Sequence, residues 1–207
     1  MKIGKWVKAN RGIILFLFGM AFFRTAVADW NYVPSGSMEP TLYPGDVLVV
    51  NKLAYGPAVP FTRSRLWSTG EPSRGDVITF FPSHTDQCLV KRVVGVPGDR
   101  LRFAGSSIWL NGERLTIEEK EGALWQNLTP LLAHKVQLST SDLATDTFNG
   151  EFVVPEGKYF VMGDNRHQSY DSRYWGFVDK SQVVGKVAAV GLSLSDRFVE
   201  RFASDVL

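Results

Sequence analysis

Ile108-Trp109-Leu110-Asn111-Gly112-Glu113-Arg114-Leu115-Thr116-Ile117 sets an Asn-Gly pair between two strand-forming runs. Asn and Gly accept positive φ at both central positions of a tight turn, so the pair signals a two-residue β-hairpin. The same pattern repeats on either side. Val47 to Val50 follows the turn Tyr43-Pro44-Gly45-Asp46, and Val77 to Phe81 follows Arg74-Gly75-Asp76 and stops at Pro82. Leu89 to Val96 is a β-branched run closed by Pro97-Gly98-Asp99, and Phe152-Val153-Val154, Tyr159 to Met162 and Val183 to Leu192 complete the set. Short strands at this spacing predict a mainly β domain, antiparallel and of barrel or sandwich type.

The polar stretch from 118 to 150 breaks the pattern. It holds Glu118-Glu119-Lys120-Glu121 and runs on through Ser139-Thr140-Ser141-Asp142, and reads as an exposed insertion or ribbon. From about 102 to 157 the expectation is a looser, inserted β-rich region.

The chain has 207 residues, 44% of them apolar, enough for one membrane anchor and one medium-sized domain with its own core. A formal net charge of +2, with basic residues spread along the chain, argues against a nucleic-acid partner. The single cysteine, Cys88, excludes an internal disulfide and a Cys-X-X-Cys site. His84, His134 and His167 are too far apart for zinc-ligand spacing, so neither metal nor cofactor is expected.

The N-terminus is the one place where basic residues cluster: Lys2, Lys5, Lys8 and Arg11 precede Gly12 to Phe23, twelve residues without a charge. Three readings compete. A transmembrane helix of about 20 residues, roughly Trp6 to Ala26, would let Arg24 snorkel to one interface and seat Trp6 at the other. A cleavable signal peptide would be cut after Ala28, because Ala26-Val27-Ala28 has the small-x-small form. A buried core helix is the third reading, and the flanking lysines oppose it. The single anchor over residues 1–28 is the expectation, with the N-terminus in the cytoplasm and residues 29–207 beyond the membrane.

Three segments stand out chemically: Pro34-Ser35-Gly36-Ser37-Met38-Glu39-Pro40-Thr41-Leu42, Val90-Lys91-Arg92-Val93-Val94-Gly95-Val96-Pro97-Gly98-Asp99, and Gly163-Asp164-Asn165-Arg166-His167-Gln168-Ser169-Tyr170-Asp171-Ser172-Arg173. Each alone has an ordinary explanation. Ser-Gly-Ser between prolines is a common loop. A lysine in a β-branched run guards a sheet edge. The Asp/Asn/Arg stretch reads as a hydrogen-bonded turn.

Together, and in this order after an apolar segment, the three resemble the boxes of the bacterial signal peptidase I family, from about Arg24 to Lys186. The resemblance implies a Ser–Lys dyad, with Ser37 as nucleophile and Lys91 as general base. A hydroxyl needs a base within hydrogen-bond reach, and a lysine serves as one when apolar burial lowers its pKa. The resemblance further assigns Ser35, with the backbone N–H of Ser37, to the oxyanion hole, and Ser169 to holding the lysine amine. It places Met38, Leu89 and Val90 on pockets for small side chains, and makes Asp164, Asn165, Arg166, Asp171 and Arg173 structural near the site. His167 departs from the family box, where an acidic residue is common. Arg24 fits a basic residue that follows the family's last membrane helix.

The implied partners are exported precursor proteins, cut after small-x-small sites, and the lipid bilayer of the cytoplasmic membrane. A peptidase dedicated to one pilin or secreted protein has the same motifs. A membrane-tethered β-domain that only binds is the alternative of another class, and its activity would survive loss of Ser37 and Lys91.

Overall fold

The computed structural model describes residues 3–60, 62, 65–138, 149–194 and 206. Helices α1 (Ile3–Ala9) and α2 (Arg11–Ala26) precede strands β1 (Ala28–Tyr32), β2 (Asp46–Asn51), β3 (Val77–Phe80) and β4 (Leu89–Gly95). Then come β5 (Arg100–Ala104), β6 (Ser107–Leu110), β7 (Glu113–Arg114), β8 (Ile117–Lys120), β9 (Ala123–Thr129) and β10 (Leu132–Val136). The chain closes with β11 (Gly150–Val153), β12 (Lys158–Met162), the one-turn helix α3 (Ser172–Trp175), β13 (Val178–Asp179) and β14 (Val183–Ser193).

One seven-stranded sheet carries the fold, in the order β1-β2-β14-β3-β4-β12-β13, with every neighbouring pair antiparallel. β14 spans the sheet with register shifts at Val187/Ala189 and Val190/Leu192. Such bulges bend a long strand and sharpen its twist. The sheet curls so far that Asn31 of β1 reaches Cys88, just ahead of β4: Asn31 Nδ2 lies 3.3 Å from Cys88 Sγ, although β2, β14 and β3 stand between the two strands in the ladder. The result is a half-barrel with a cleft between the free edge of β1 and the start of β4.

Two small sheets cover one side. One has the order β11-β5-β6-β7, the other is the meander β10-β9-β8. Asn111 and Gly112 close the β6–β7 hairpin with φ of 54° and 90°, so the turn signal was read correctly. β5 alternates exposed and buried residues along Arg-Leu-Arg-Phe-Ala, and Leu101 and Phe103 enter the core with Ile108, Leu110, Val154, Phe160 and Met162. The region expected as an inserted, β-rich part is regular sheet over most of its length. Ser139 to Asp142 lie outside the described residues.

The expected membrane helix needs correction. Trp6 to Ala26 is not one helix: Asn10 interrupts it, its side-chain Nδ2 donating to Trp6 O at 2.9 Å. Such local side-chain bonds compete with helix geometry. At about 1.5 Å per residue, α2 extends roughly 24 Å, short of a hydrocarbon core of about 30 Å. Among the described residues no helix is long and apolar enough to cross a membrane. α2 is nonetheless apolar and bare around its girth, with Leu15 69%, Phe16 64% and Phe18 61% exposed and only Ala26 buried. Ala28, the residue of the alternative cleavage reading, is paired with Asn51 in β1.

Phe160 joins the main sheet to the smaller one. It is 1% exposed, and its ring meets Phe152 at 5.1 Å, Phe103 at 5.4 Å and Phe177 at 6.1 Å. Phe160→Ala is expected to cost about 3–5 kcal/mol of folding stability. Urea unfolding followed by tryptophan fluorescence checks it; an unchanged midpoint would mean that the small sheet is not held through this cluster.

Candidate active site

β1 runs into Val33-Pro34-Ser35 and then a single 3-10 turn, Gly36–Met38, that carries Ser37. The turn is fixed from below, because Met38 is 1% exposed and packs with Leu42, Leu48 and Val50. Lys91 comes from the middle of the sheet, in β4 and opposite Ile78 of β3. The two meet across 54 residues of sequence: Lys91 Nζ donates to Ser37 Oγ at 2.6 Å.

Lys91 is 4% exposed. Burial disfavours its ammonium and lowers its pKa from 10.5 to about 8. The carboxylates of Asp171 and Asp164 pull the value back up, and Arg173 pushes it down. Each carboxylate is tied to an arginine. Arg92 grips Asp164 with two nitrogens, Nε at 2.9 Å from Oδ1 and Nη2 at 2.8 Å from Oδ2. Arg173 grips Asp171 in the same way, Nε at 2.9 Å and Nη2 at 3.0 Å. Burial alone would raise the Asp164 carboxyl, but Arg92 and a 2.5 Å bond from Thr41 Oγ1 hold it below its ordinary value.

The loop after β12 locks the serine turn. Asn165 N–H donates to Ser37 O and Asn165 Nδ2 to Gly36 O, both at 3.2 Å, so both peptides flanking the serine side chain are held. Gly163 is the crossing point. Its N–H donates to Asp171 Oδ2 at 2.9 Å, and a Cβ there would lie 2.3 Å from both Ser37 O and Ser169 Oγ. Only glycine permits that approach.

The residues singled out from sequence are gathered here with one difference. Ser35, Ser37, Met38, Leu89, Val90 and Lys91 line one cleft of about 190 Å³ between β1 and β4. Asp164, Asn165, Arg166, Asp171 and Arg173 are all buried behind it. Ser169 Oγ is buried against Gly163 and has no hydrogen-bond partner, Lys91 included.

Other residues of the assembly went unread. Gly163, Thr41 and Arg92 stand inside the quoted segments, but residue type alone does not say that they bind to each other. Gln126 of β9 and His134 of β10 gave no signal at all. Arg166 Nη2 donates to Gln126 Oε1 and lies 3.1 Å from His134 Nε2, so the three-stranded meander is clamped to the loop behind the dyad. Burial drives His134 down to about 3, and this ring is neutral at any working pH. Arg24 also lines the cleft, which puts the end of α2 beside Ser37 and Lys91.

The chain matches the family described as "Signal peptidase, peptidase S26" over residues 3–192. Signal peptidase I of Pseudomonas fluorescens is 35% identical over 216 residues, covering 90% of this chain and 75% of that protein. Signal peptidase I of Pseudomonas aeruginosa is 34% identical, covering 91% and 76%. Signal peptidase I of Bacillus caldolyticus reaches 38% over 158 residues, 76% of each chain. A crystal structure of a signal peptidase I from Enterococcus faecalis aligns at 30% identity over 58% of this chain and 100% of that one, with a TM-score of 0.39, too loose an overlap to compare folds.

A buried ammonium is a thermodynamic burden. The unfolded chain binds the Lys91 proton more tightly, so between about pH 8 and 10.5 stability rises with pH, and below about 8 the full cost is present. Lys91→Met removes that cost and is expected to raise stability at pH 7 by up to about 3 kcal/mol. The urea midpoint at pH 7 checks it; a lower midpoint in the variant would mean that the lysine is held by more favourable contacts than its burial implies.

Proposed function

This chain belongs to the signal peptidase family, peptidase S26, and from that premise we propose that it removes signal peptides from exported precursors with Ser37 as nucleophile and Lys91 as general base. The observation that carries the mechanism is the 2.6 Å contact between a buried lysine and a serine hydroxyl at the wall of an open cleft. That contact supplies the two things acyl transfer needs: a proton acceptor in reach and a substrate site beside it.

The neutral Lys91 amine takes the Ser37 proton as Oγ attacks the scissile carbonyl. The oxyanion of the tetrahedral intermediate is met by the Ser37 N–H and the Ser35 hydroxyl; losing one such donor costs about 10²–10³ in rate. Protonated Lys91 then gives its proton to the leaving amine, and the ester on Ser37 is hydrolysed by water with Lys91 again as base. Ser169 is assigned to the amine during the cycle: its hydroxyl is buried and unbonded in the resting structure, and is available to accept from Lys91 once the amine turns from Ser37. Asn165, Gly163, Asp171 and the two arginines position the serine turn.

The cleft accounts for substrate choice. Met38, Leu89 and Val90 put an apolar wall on the cleft beside Ser37 and Lys91, which favours small apolar side chains over charged ones. The precursor lies extended between β1 and β4 with small residues at the first and third positions before the cut.

The chain works at the membrane. A helix apolar all round has no stable place in water, and α2 is bare on every side. α2 alone is too short to cross, so this topology, with the basic N-terminal flank in the cytoplasm and residues 29–207 as the peptidase unit on the outer face, takes α1 and α2 together through the bilayer. Arg24 at the cleft sets the dyad close to the bilayer surface, where a signal peptide emerges.

The test is a precursor with an Ala-x-Ala site, incubated with detergent-solubilised wild type, Ser37→Ala and Lys91→Ala, with products mapped by mass spectrometry. Cleavage after the second alanine is expected from the wild type alone, the variants losing on the order of 10⁴–10⁶ in rate. For the wild type, kcat/KM should fall about tenfold per unit as pH drops below about 8, because the protonated amine cannot accept the serine proton. Equal cleavage by all three proteins, or a rate flat from pH 8 to 5, would overturn the dyad.

A further inference from the structure

A second cavity opens off the catalytic cleft. It holds about 350 Å³, and Asp29, Asn31 and Cys88 line both spaces. It runs from that shared wall toward Lys52, Arg65 and Gln182. Small apolar residues before a cut have no use for it. Its lining mixes apolar residues such as Phe81 and Val183 with polar ones, and the partners already made by the polar groups indicate what it will take.

Its cations are spent within the protein. Arg65 donates from Nη1 to Lys52 O and Gly56 O, and from Nη2 to Val183 O and Val184 O. Lys52 Nζ lies 3.1 Å from Asp29 Oδ2 and 3.2 Å from Arg24 O. Asp29 Oδ1 is taken by Arg24 Nε at 3.1 Å. Gln182 Oε1 accepts from the Asp179 N–H at 2.8 Å. Asn31 is the exception. Its Nδ2 faces Cys88 Sγ at 3.3 Å, and its Oδ1 is buried with no partner. A buried carbonyl oxygen left unbonded is unfavourable, and a ligand that donates to it recovers that loss. A phosphate or carboxylate would meet an acceptor and no spare cation. A cationic group would meet Lys52 and Arg65.

The position along the substrate follows from strand geometry. Cys88 precedes Lys91 by three residues, about 10 Å at the rise of a strand. The apolar wall of Leu89 and Val90 lies between them. If the residue before the cut sits at Lys91, the fourth residue before the cut sits opposite Cys88 and Asn31.

We infer that Asn31, with Cys88 as its support, forms a polar subsite for the fourth residue before the cut, which selects a neutral side chain that donates a hydrogen bond, such as serine, threonine or glutamine. The inference rests on the peptidase reading above. It makes Asn31 a specificity residue, and the cavity behind it gives room for side chains of that size.

The experiment uses full-length protein in detergent and peptides with alanine at the first and third positions before the cut. The fourth position is Ala, Ser, Thr, Gln, Val or Leu, and a second series varies the second and fifth positions in the same way. The measure is the ratio of kcat/KM for Ser, Thr or Gln over Val or Leu within each enzyme, so a general loss in a variant cancels. For wild type the ratio at the fourth position is expected to be roughly three- to tenfold, the worth of one neutral hydrogen bond. In Asn31→Leu, and in Asn31→Ala if the leucine variant fails to fold, it should fall to about one. A ratio that survives both variants, a wild type that cuts the alanine peptide without discriminating at the fourth position, or a preference confined to the second or fifth would each overturn the subsite. No cleavage of the alanine peptide by wild type would overturn the peptidase reading and the subsite with it.

Discussion

An ammonium group kept out of water is the constraint around which the molecule is arranged. Lys91 sits in the middle of a seven-stranded sheet, and its neighbours along β4 bury it. Burial lowers its proton affinity, but unpaired carboxylates nearby would raise it again. Asp164 and Asp171 are both near enough to act on it. Each carboxylate is paired with a bidentate arginine, and Arg173 itself lowers the proton affinity of the lysine. Arg92 follows Lys91 directly in β4, so strand alternation sends the lysine toward Ser37 and the guanidinium to the other face, onto Asp164. One dipeptide thus places both the proposed base and the partner of a carboxylate that acts on it.

The two small sheets take part in the same arrangement. Gln126 and His134 hold Arg166, whose carbonyl accepts from Arg173 Nη2 at 2.5 Å, and Arg173 in turn holds Asp171. Asp171 accepts from Gly163, which touches Ser37 O. The path from the meander to the serine turn is continuous and made of directed hydrogen bonds. His134 remains neutral, so it acts as a fixed acceptor and gives this path no titrating step.

How much of this was legible beforehand depends on the range of the forces involved. The Asn111-Gly112 turn is local, and a local signal was enough. β2, β3, β4, β12 and β14 announce themselves by β-branched runs bounded by turns. β1 does not: Ala-Asp-Trp-Asn-Tyr is polar because it is an edge strand with one side on a cleft. β5 has clean alternation that was there to be read. The serine and lysine could be named only through the resemblance of their segments to a family's boxes, since nothing in either segment says that they touch. Gln126 with Arg166, and Asn31 with Cys88, are pairs set by tertiary packing over 40 and 57 residues of sequence. The break at Asn10 escaped for the opposite reason: hydropathy averages over a window, and a single side-chain bond to Trp6 O acts at one residue.

The N-terminal helix and the cleft make sense only as one arrangement. α2 exposes phenylalanines and leucines that packing among the described residues does not cover, and Arg24, in its last turn, lines the cleft. Arg24 is then fixed to Asp29, which is shared with Lys52. That ion-pair cluster ties the apolar helix to the first strand of the sheet, five residues ahead of the Pro34-Ser35-Gly36-Ser37 turn. Its side chains are partly exposed, so its contribution to stability is small, but its contribution to direction is large. A helix drawn into a bilayer carries Arg24 to the polar boundary, and the β1 edge with it. In the membrane arrangement proposed above, the cleft between β1 and β4 would thereby be held at the surface from which an extended, membrane-inserted segment presents its first polar residues, and the helix would set the depth of the cleft.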